Sequence, residues 1–169
     1  MKTDRVLVAL DLEAHADELV REARDLASRL DAELVLLTVL PLKPSVDADV
    51  LRNPAAHPAT HGVLRASESK VQPRLQALAR AARQGGLKVS AQVAHGDIAD
   101  AILHVARKLE IGLIVMGTHG RRGISRVALG SVAESVIREA PVPVVAVRAG
   151  ALPDTARVTF HEVKLEEGD

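Results

Sequence analysis

The chain predicts an α/β protein built on an open five-stranded parallel sheet with helices on both faces. Three observations predict it. Short continuous apolar runs alternate along the chain with segments whose apolar residues recur every three or four positions. Strands that alternate with helices pair in parallel through crossovers and carry helices on both faces. Strands buried on both faces read as unbroken apolar runs rather than as alternation. At 169 residues the chain fits one domain with a core of its own.

Arg5 to Leu10 is the first apolar run and the first strand. Ala16, Leu19, Val20, Ala23, Ala27 and Leu30 recur at helical spacing and form the first helix. Glu33 to Leu40 is the second strand. Pro41 to His61 is rich in Pro, Ala, Asp and His and has no period, so a loop is expected there, with 41–65 mobile. Val71, Leu75, Leu78, Ala79 and Ala82 form a second helix with Pro73 in its first turn or at a kink, and Gly85-Gly86 ends it. Leu87 to Ala94 alternates weakly as the third strand, and Ile98, Ile102, Val105, Ala106 and Leu109 mark the third helix. Ile111 to Met116 is the fourth strand; Ala133, Val136, Ile137 and Ala140 begin a fourth helix; Val142 to Val147 is the fifth strand.

Composition excludes several classes. Phe160 is the single aromatic residue, so bases cannot stack on aromatic platforms and a single-strand nucleic-acid binder is disfavoured. Charges balance at 22 against 22, so no global field recruits nucleic acid or a membrane surface. The chain has no cysteine, hence no disulfide, thiolate metal site or thiol nucleophile. The start, MKTDRVLVALD, has too short an apolar run for a signal peptide, and no stretch approaches a membrane span. A cytoplasmic protein is expected.

The most informative stretch joins the fourth strand to the fourth helix. It reads VMGTHGRRGISRVALGSV, from Val115 to Val132, with glycines at 117, 120, 123 and 130. Glycine admits positive φ and the close approach of another molecule. The start of a helix offers N–H groups and partial positive charge to a phosphate. Strand, glycine loop and helix start together make an anion cradle. A P-loop would need lysine after the last glycine, where Ser131 and Val132 stand, and the dinucleotide pattern G-x-G-x-x-G is absent.

What is present is Gly117-x2-Gly120-x9-Gly130-Ser131. That spacing resembles the nucleotide-binding signature G-x2-G-x9-G-[ST] of the universal stress protein family, in its ATP-binding branch. The resemblance runs from about Lys2 to Arg148 and includes the PVPVVAVR close. It implies strand order 3-2-1-4-5, the adenine nucleotide alpha hydrolase-like arrangement, with strands one and four adjacent at the topological switch where such sheets bind ligands. It also implies ATP with Mg2+ or Mn2+ as ligand. Gly117, His119 and Gly120 would lie along ribose and phosphates, and Gly130, Ser131 and Val132 would bind the terminal phosphates, the Ser131 hydroxyl as a donor. Asp11 would sit beside the ribose or the divalent ion, with Ala9 lining the same wall. The Val39 backbone would hydrogen-bond the adenine edge, with Met116 packed on the base. Arg121 and Arg122 could add positive charge.

Each position also has a plainer reading. Gly130-Ser131 could be a turn and a helix cap, Asp11 a cap for the first helix, Val39 and Met116 core, and the two arginines solvated. His119 has no triad or paired carboxylate around it. His57, His61, His95 and His104 show no i, i+4 metal pairing with a nearby carboxylate partner and are expected in loops and on the surface. The family resemblance implies an ATP-binding module of stress adaptation. Its rivals are a slow ATPase or autophosphorylating enzyme using Ser131 and a divalent ion, and a nucleotide-free structural partner. The resemblance further implies a two-fold dimer through strand five. The tail beyond Ala149 is either a bulged extra strand around Val158, Phe160, Val163 and Leu165 or a disordered end.

Overall fold

Arg5–Leu10 forms β1 and Glu33–Leu40 forms β2, and each carries a run of at least three consecutive buried positions. That pattern arises because helices cover both faces of the sheet, so side chains pointing either way are removed from water. The structure is a computed structural model, and it describes residues 3–12, 15–42, 58–118 and 130–148. The remaining elements are α1 (Ala16–Arg29), α2 (Pro58–Ala82), β3 (Val89–His95), α3 (Ile98–Lys108), β4 (Leu113–Gly117), α4 (Ser131–Glu139) and β5 (Val144–Val147). All strand pairs are parallel and the order is β3-β2-β1-β4-β5. The expected fold class and strand order are therefore those observed.

Two aliphatic layers hold the sheet. On one face Val6, Val8, Leu10, Leu34 and Leu36 pack with Leu19, Val20 and Ala23 of α1 and Leu75, Leu78 and Ala79 of α2. On the other, Leu7, Val35, Leu37, Ile114 and Met116 pack with Ile102, Leu103 and Ala106 of α3 and Ala133 and Val136 of α4. Arg74 of α2 also donates to the Asp17 carboxylate of α1, tying the two helices of the first face at their rim.

The second helix differs from its expected extent. It begins at Pro58, thirteen residues before Val71 opens the apolar period. Proline is well placed in a first turn, whose N–H needs no intrahelical acceptor. The added residues, from Gly62 to Lys70, are exposed or half-buried, and Val63 is 64% exposed. A helical stretch that buries little shows no period, so the pattern could not report it. Pro73 stands in the helix interior rather than its first turn, where it lacks the N–H that would reach the Ser69 carbonyl.

The third helix begins at Ile98, the first residue of its apolar period. Asp97 caps it, its Oδ1 accepting from the N–H groups of Ala99 at 3.0 Å and Asp100 at 3.1 Å. An aspartate before an apolar period is a standard start signal. Among the described residues, no helix is long and apolar enough to cross a membrane.

Candidate functional site

The carboxyl ends of β1, β2 and β4 carry the sequence-predicted residues. Ala9 of β1 pairs with Leu37 of β2 on one side and Met116 of β4 on the other. Ala9, Val39, Met116 and Val132 all belong to the apolar layer shared with α3 and α4. Four residues far apart in the chain thus meet on one face at one end of the sheet. The alternation of strand side chains is what puts them there, since Ala9, Val39 and Met116 share parity with Leu7, Leu37 and Ile114.

At the rim of this layer the polar positions gather. Asp11 follows β1 and is exposed; Gly117 ends β4, beside Val147 of β5. The glycine loop is closed at its base by backbone hydrogen bonds. The Thr118 N–H donates to the Val147 carbonyl at 2.9 Å, and the Gly130 N–H donates to the Thr118 carbonyl at 2.8 Å. That second bond brings the start of α4 directly against the end of β4. Intrahelical bonding begins with the Glu134 N–H, which donates to the Gly130 carbonyl at 2.9 Å. Gly130 is the N-cap and has no side chain to satisfy the N–H groups that follow it. The first N–H groups of a helix point outward without an intrahelical acceptor, and their summed dipoles favour an anion.

Two expectations are corrected. Ser131 was open to reading as a helix cap, but Gly130 holds that position, and Ser131 is the first helical residue, with an exposed side chain. Asp11 was open to reading as the cap of α1, but the N-cap there is His15, in the left-handed region at φ 69° and without a side-chain cap bond. Gly130 has φ −65° and ψ 149°, extended backbone that any residue adopts, so positive φ is not why glycine stands there. His119, Gly120, Arg121 and Arg122 lie outside the described residues. So does His57.

His95 is a further correction. It is not a surface or loop residue: it ends β3, with its side chain only 9% exposed. Its Nδ1 lies 3.7 Å from a Glu68 carboxylate oxygen of α2, and its Nε2 is buried without a hydrogen-bond partner. A strand register would have found it, since it pairs with Leu40, but no sequence signal marked it. His104 is exposed on α3, facing a cavity of about 250 Å³ shared with Asp97 and Asp100. No group of three or more potential ligands is placed to hold a metal ion among the described residues. A larger cavity, about 670 Å³, opens at the opposite, amino ends of the strands, lined by Asp4, Arg5, Glu33 and Lys88. Its arginine is already committed, to Glu33 at 3.3 Å and to the Leu109 carbonyl at 2.7 Å.

The profile of the universal stress protein family matches residues 2–148. The chain belongs to the universal stress protein family. Among curated relatives it is 31% identical over 131 residues to universal stress protein MJ0531 of Methanocaldococcus jannaschii, covering 78% of this chain and 74% of that one. Among solved structures it is similar in fold to the hypothetical protein MJ0577, with a TM-score of 0.73 at 18% identity over 90% of this chain and 100% of that one. It is likewise similar to the universal stress protein from Archaeoglobus fulgidus in complex with dAMP, with a TM-score of 0.59 at 19% identity, covering 86% and 98%.

Proposed function

We propose that this chain binds an adenine nucleotide, ATP carried with Mg2+ or Mn2+, at the carboxyl ends of β1, β2 and β4, and serves as a nucleotide-dependent binding module in stress adaptation in the cytoplasm. The observation that carries the reading is the Gly130 to Thr118 hydrogen bond. It sets an N-terminus with no side-chain cap beside the apolar layer that holds Ala9, Val39 and Met116. An apolar wall for a base and a cluster of N–H groups for phosphates are the two halves that a nucleotide needs. In this reading Val39 offers its backbone to the adenine edge, and Ala9 and Met116 form the wall beneath the base. Asp11 faces the ribose or the divalent ion. Gly117, His119 and Gly120 follow the ribose and phosphates, with Arg121 adding charge. Gly130, Ser131 and Val132 receive the terminal phosphates. A relative in complex with dAMP supports the choice of adenine.

The variant Ser131→Ala tests the polar half. Because the hydroxyl is exposed and does not cap α4, its loss should leave unfolding unchanged. A hydrogen bond to a charged phosphate is worth about 1.5–3 kcal/mol, so the ATP dissociation constant should rise by roughly ten- to a hundredfold in calorimetric titration. An unchanged constant removes Ser131 from the site.

Turnover should be slow. Asp11 is the one acidic residue at the rim among the described residues assigned to the site, and phosphoryl transfer needs a second metal ligand or a base. Incubation with ATP and Mg2+, followed by mass measurement of the nucleotide carried and released, should return ATP. Steady hydrolysis at about 1–1000 per second would replace the binding module with an enzyme.

Assembly follows from the sheet order. β5 is an edge strand, its residues half-buried except for the exposed Ala146. An apolar edge invites pairing, and we place the two-fold contact of a homodimer there, with β5 antiparallel to its mate. The segment 150–169, including Arg157 to Leu165, lies outside the described residues. Light scattering on the full chain should report a dimer; a monomer would refute the contact.

A further inference from the structure

β1 ends where its ladder with β2 ends. Leu10 and Thr38 form the last pair of that ladder, and the chain then leaves the sheet at Asp11 while β2 continues to Leu40 beside β3. At this last rung a side chain joins the backbone: the Thr38 Oγ1 donates to the Leu10 carbonyl at 3.1 Å. Thr38 is the polar residue buried among the described ones, 4% exposed. Strand alternation puts it on the face where Leu34 and Leu36 pack, so a hydroxyl interrupts an aliphatic row at the one rung that borders Asp11.

The carbonyl it holds is not an arbitrary one. The Leu10 C=O and the Asp11 N–H belong to the same peptide unit, which is planar. Fixing the oxygen fixes the rotation of that plane, and with it the direction in which Asp11 departs from the strand. A valine would fill the same volume and satisfy the same apolar layer, yet could not orient the plane.

We propose that Thr38 is a positioning residue for the nucleotide site, acting through the Leu10–Asp11 peptide to aim Asp11 at the ribose or its divalent ion. The inference rests on the reading of Asp11 as a nucleotide contact. Thr38 itself touches no ligand: it lies on the sheet face packed with α1 and α2, whereas the proposed base wall lies on the other.

The test is calorimetric titration of Mg-ATP into the full chain and into Thr38→Val, Thr38→Ser, Asp11→Ala and the double variant Thr38→Val/Asp11→Ala. Thr38→Val should raise the dissociation constant roughly three- to tenfold, the scale of one net hydrogen bond, and Thr38→Ser should restore it to within about twofold. In the Asp11→Ala background Thr38→Val should have no further effect, because residues that act through one another are not additive. A merely structural threonine would not show that dependence. Wild-type affinity in Thr38→Val, or full multiplication of the two single effects in the double variant, overturns the inference. Should Thr38→Val not fold, Thr38→Ala carries the same comparison. A wild-type chain that binds no ATP overturns the nucleotide reading itself, and the inference with it.

Discussion

Replacing Gly130 by valine should abolish measurable ATP binding while leaving a folded chain. The residue sits at φ −65° and ψ 149°, which valine adopts without strain. Its amide hydrogen bond to the Thr118 carbonyl needs no glycine. Valine is a poor N-cap, and that preference costs about 1 kcal/mol. The effect on the ligand is far larger. A branched side chain at the N-cap stands over the outward N–H groups of Ser131, Val132 and Ala133, where a phosphate must approach. Losing two charge-assisted hydrogen bonds of about 1.5–3 kcal/mol each weakens binding at least about a hundredfold. Thermal melting with and without Mg-ATP reads this. A ligand at about a hundred times its dissociation constant stabilises the folded state by about 2.7 kcal/mol, and the variant should lose that shift. Equal shifts in the two proteins would move the site elsewhere.

Leu37→Ala should be the most costly of the single substitutions for stability. Leu37 is fully buried in the layer shared with α3 and α4, on a strand covered on both faces. It pairs with Ala9, which is too small to fill the space a truncated leucine leaves. Leucine-to-alanine changes in such cores cost about 2–5 kcal/mol, the upper values where the surroundings cannot collapse. A sheet held by strands on both sides collapses little. Urea unfolding should show the midpoint fall at constant m-value. A loss under about 1 kcal/mol would mean that this face is not packed as described.

Burial on both faces made the first two strands legible, while β4, expected from Ile111 to Met116, runs from Leu113 to Gly117. β1 and β2 span the expected Arg5–Leu10 and Glu33–Leu40, because both faces of each strand select apolar residues after the first position, Thr38 aside. β3 is an edge strand with half-buried positions, and its bounds drifted: it starts at Val89 rather than Leu87 and reaches His95. The stretch from Gly62 to Lys70 of α2 left no trace, because a helical stretch that buries few side chains places no demand on them. Strand order was not in the pattern at all; it came with the family resemblance, since crossover chirality and alternation admit several orders.

The candidate site divides in the same way. The glycine spacing pointed to the junction of β4 and α4, while Ala9, Val39 and Met116 came with the family resemblance; the structure puts all three on the face beside that junction. The capping roles were misplaced by one residue at Ser131, because cap and first helical residue look alike in a Gly-Ser pair. Thr38 and His95 were invisible as special positions. A polar residue inside a strand announces neither its burial nor its partner, and both depend on a neighbouring strand's register.

Hydrogen–deuterium exchange on the full chain, with and without saturating Mg-ATP, tests the central claim most directly. The account predicts slowed exchange at Ser131, Val132 and Ala133 and at the carboxyl ends of β1, β2 and β4. It predicts no change around Gly85 to Lys88, beside the cavity at the amino ends of the strands. Protection confined to that amino-terminal end, with the start of α4 exchanging as before, would contradict it.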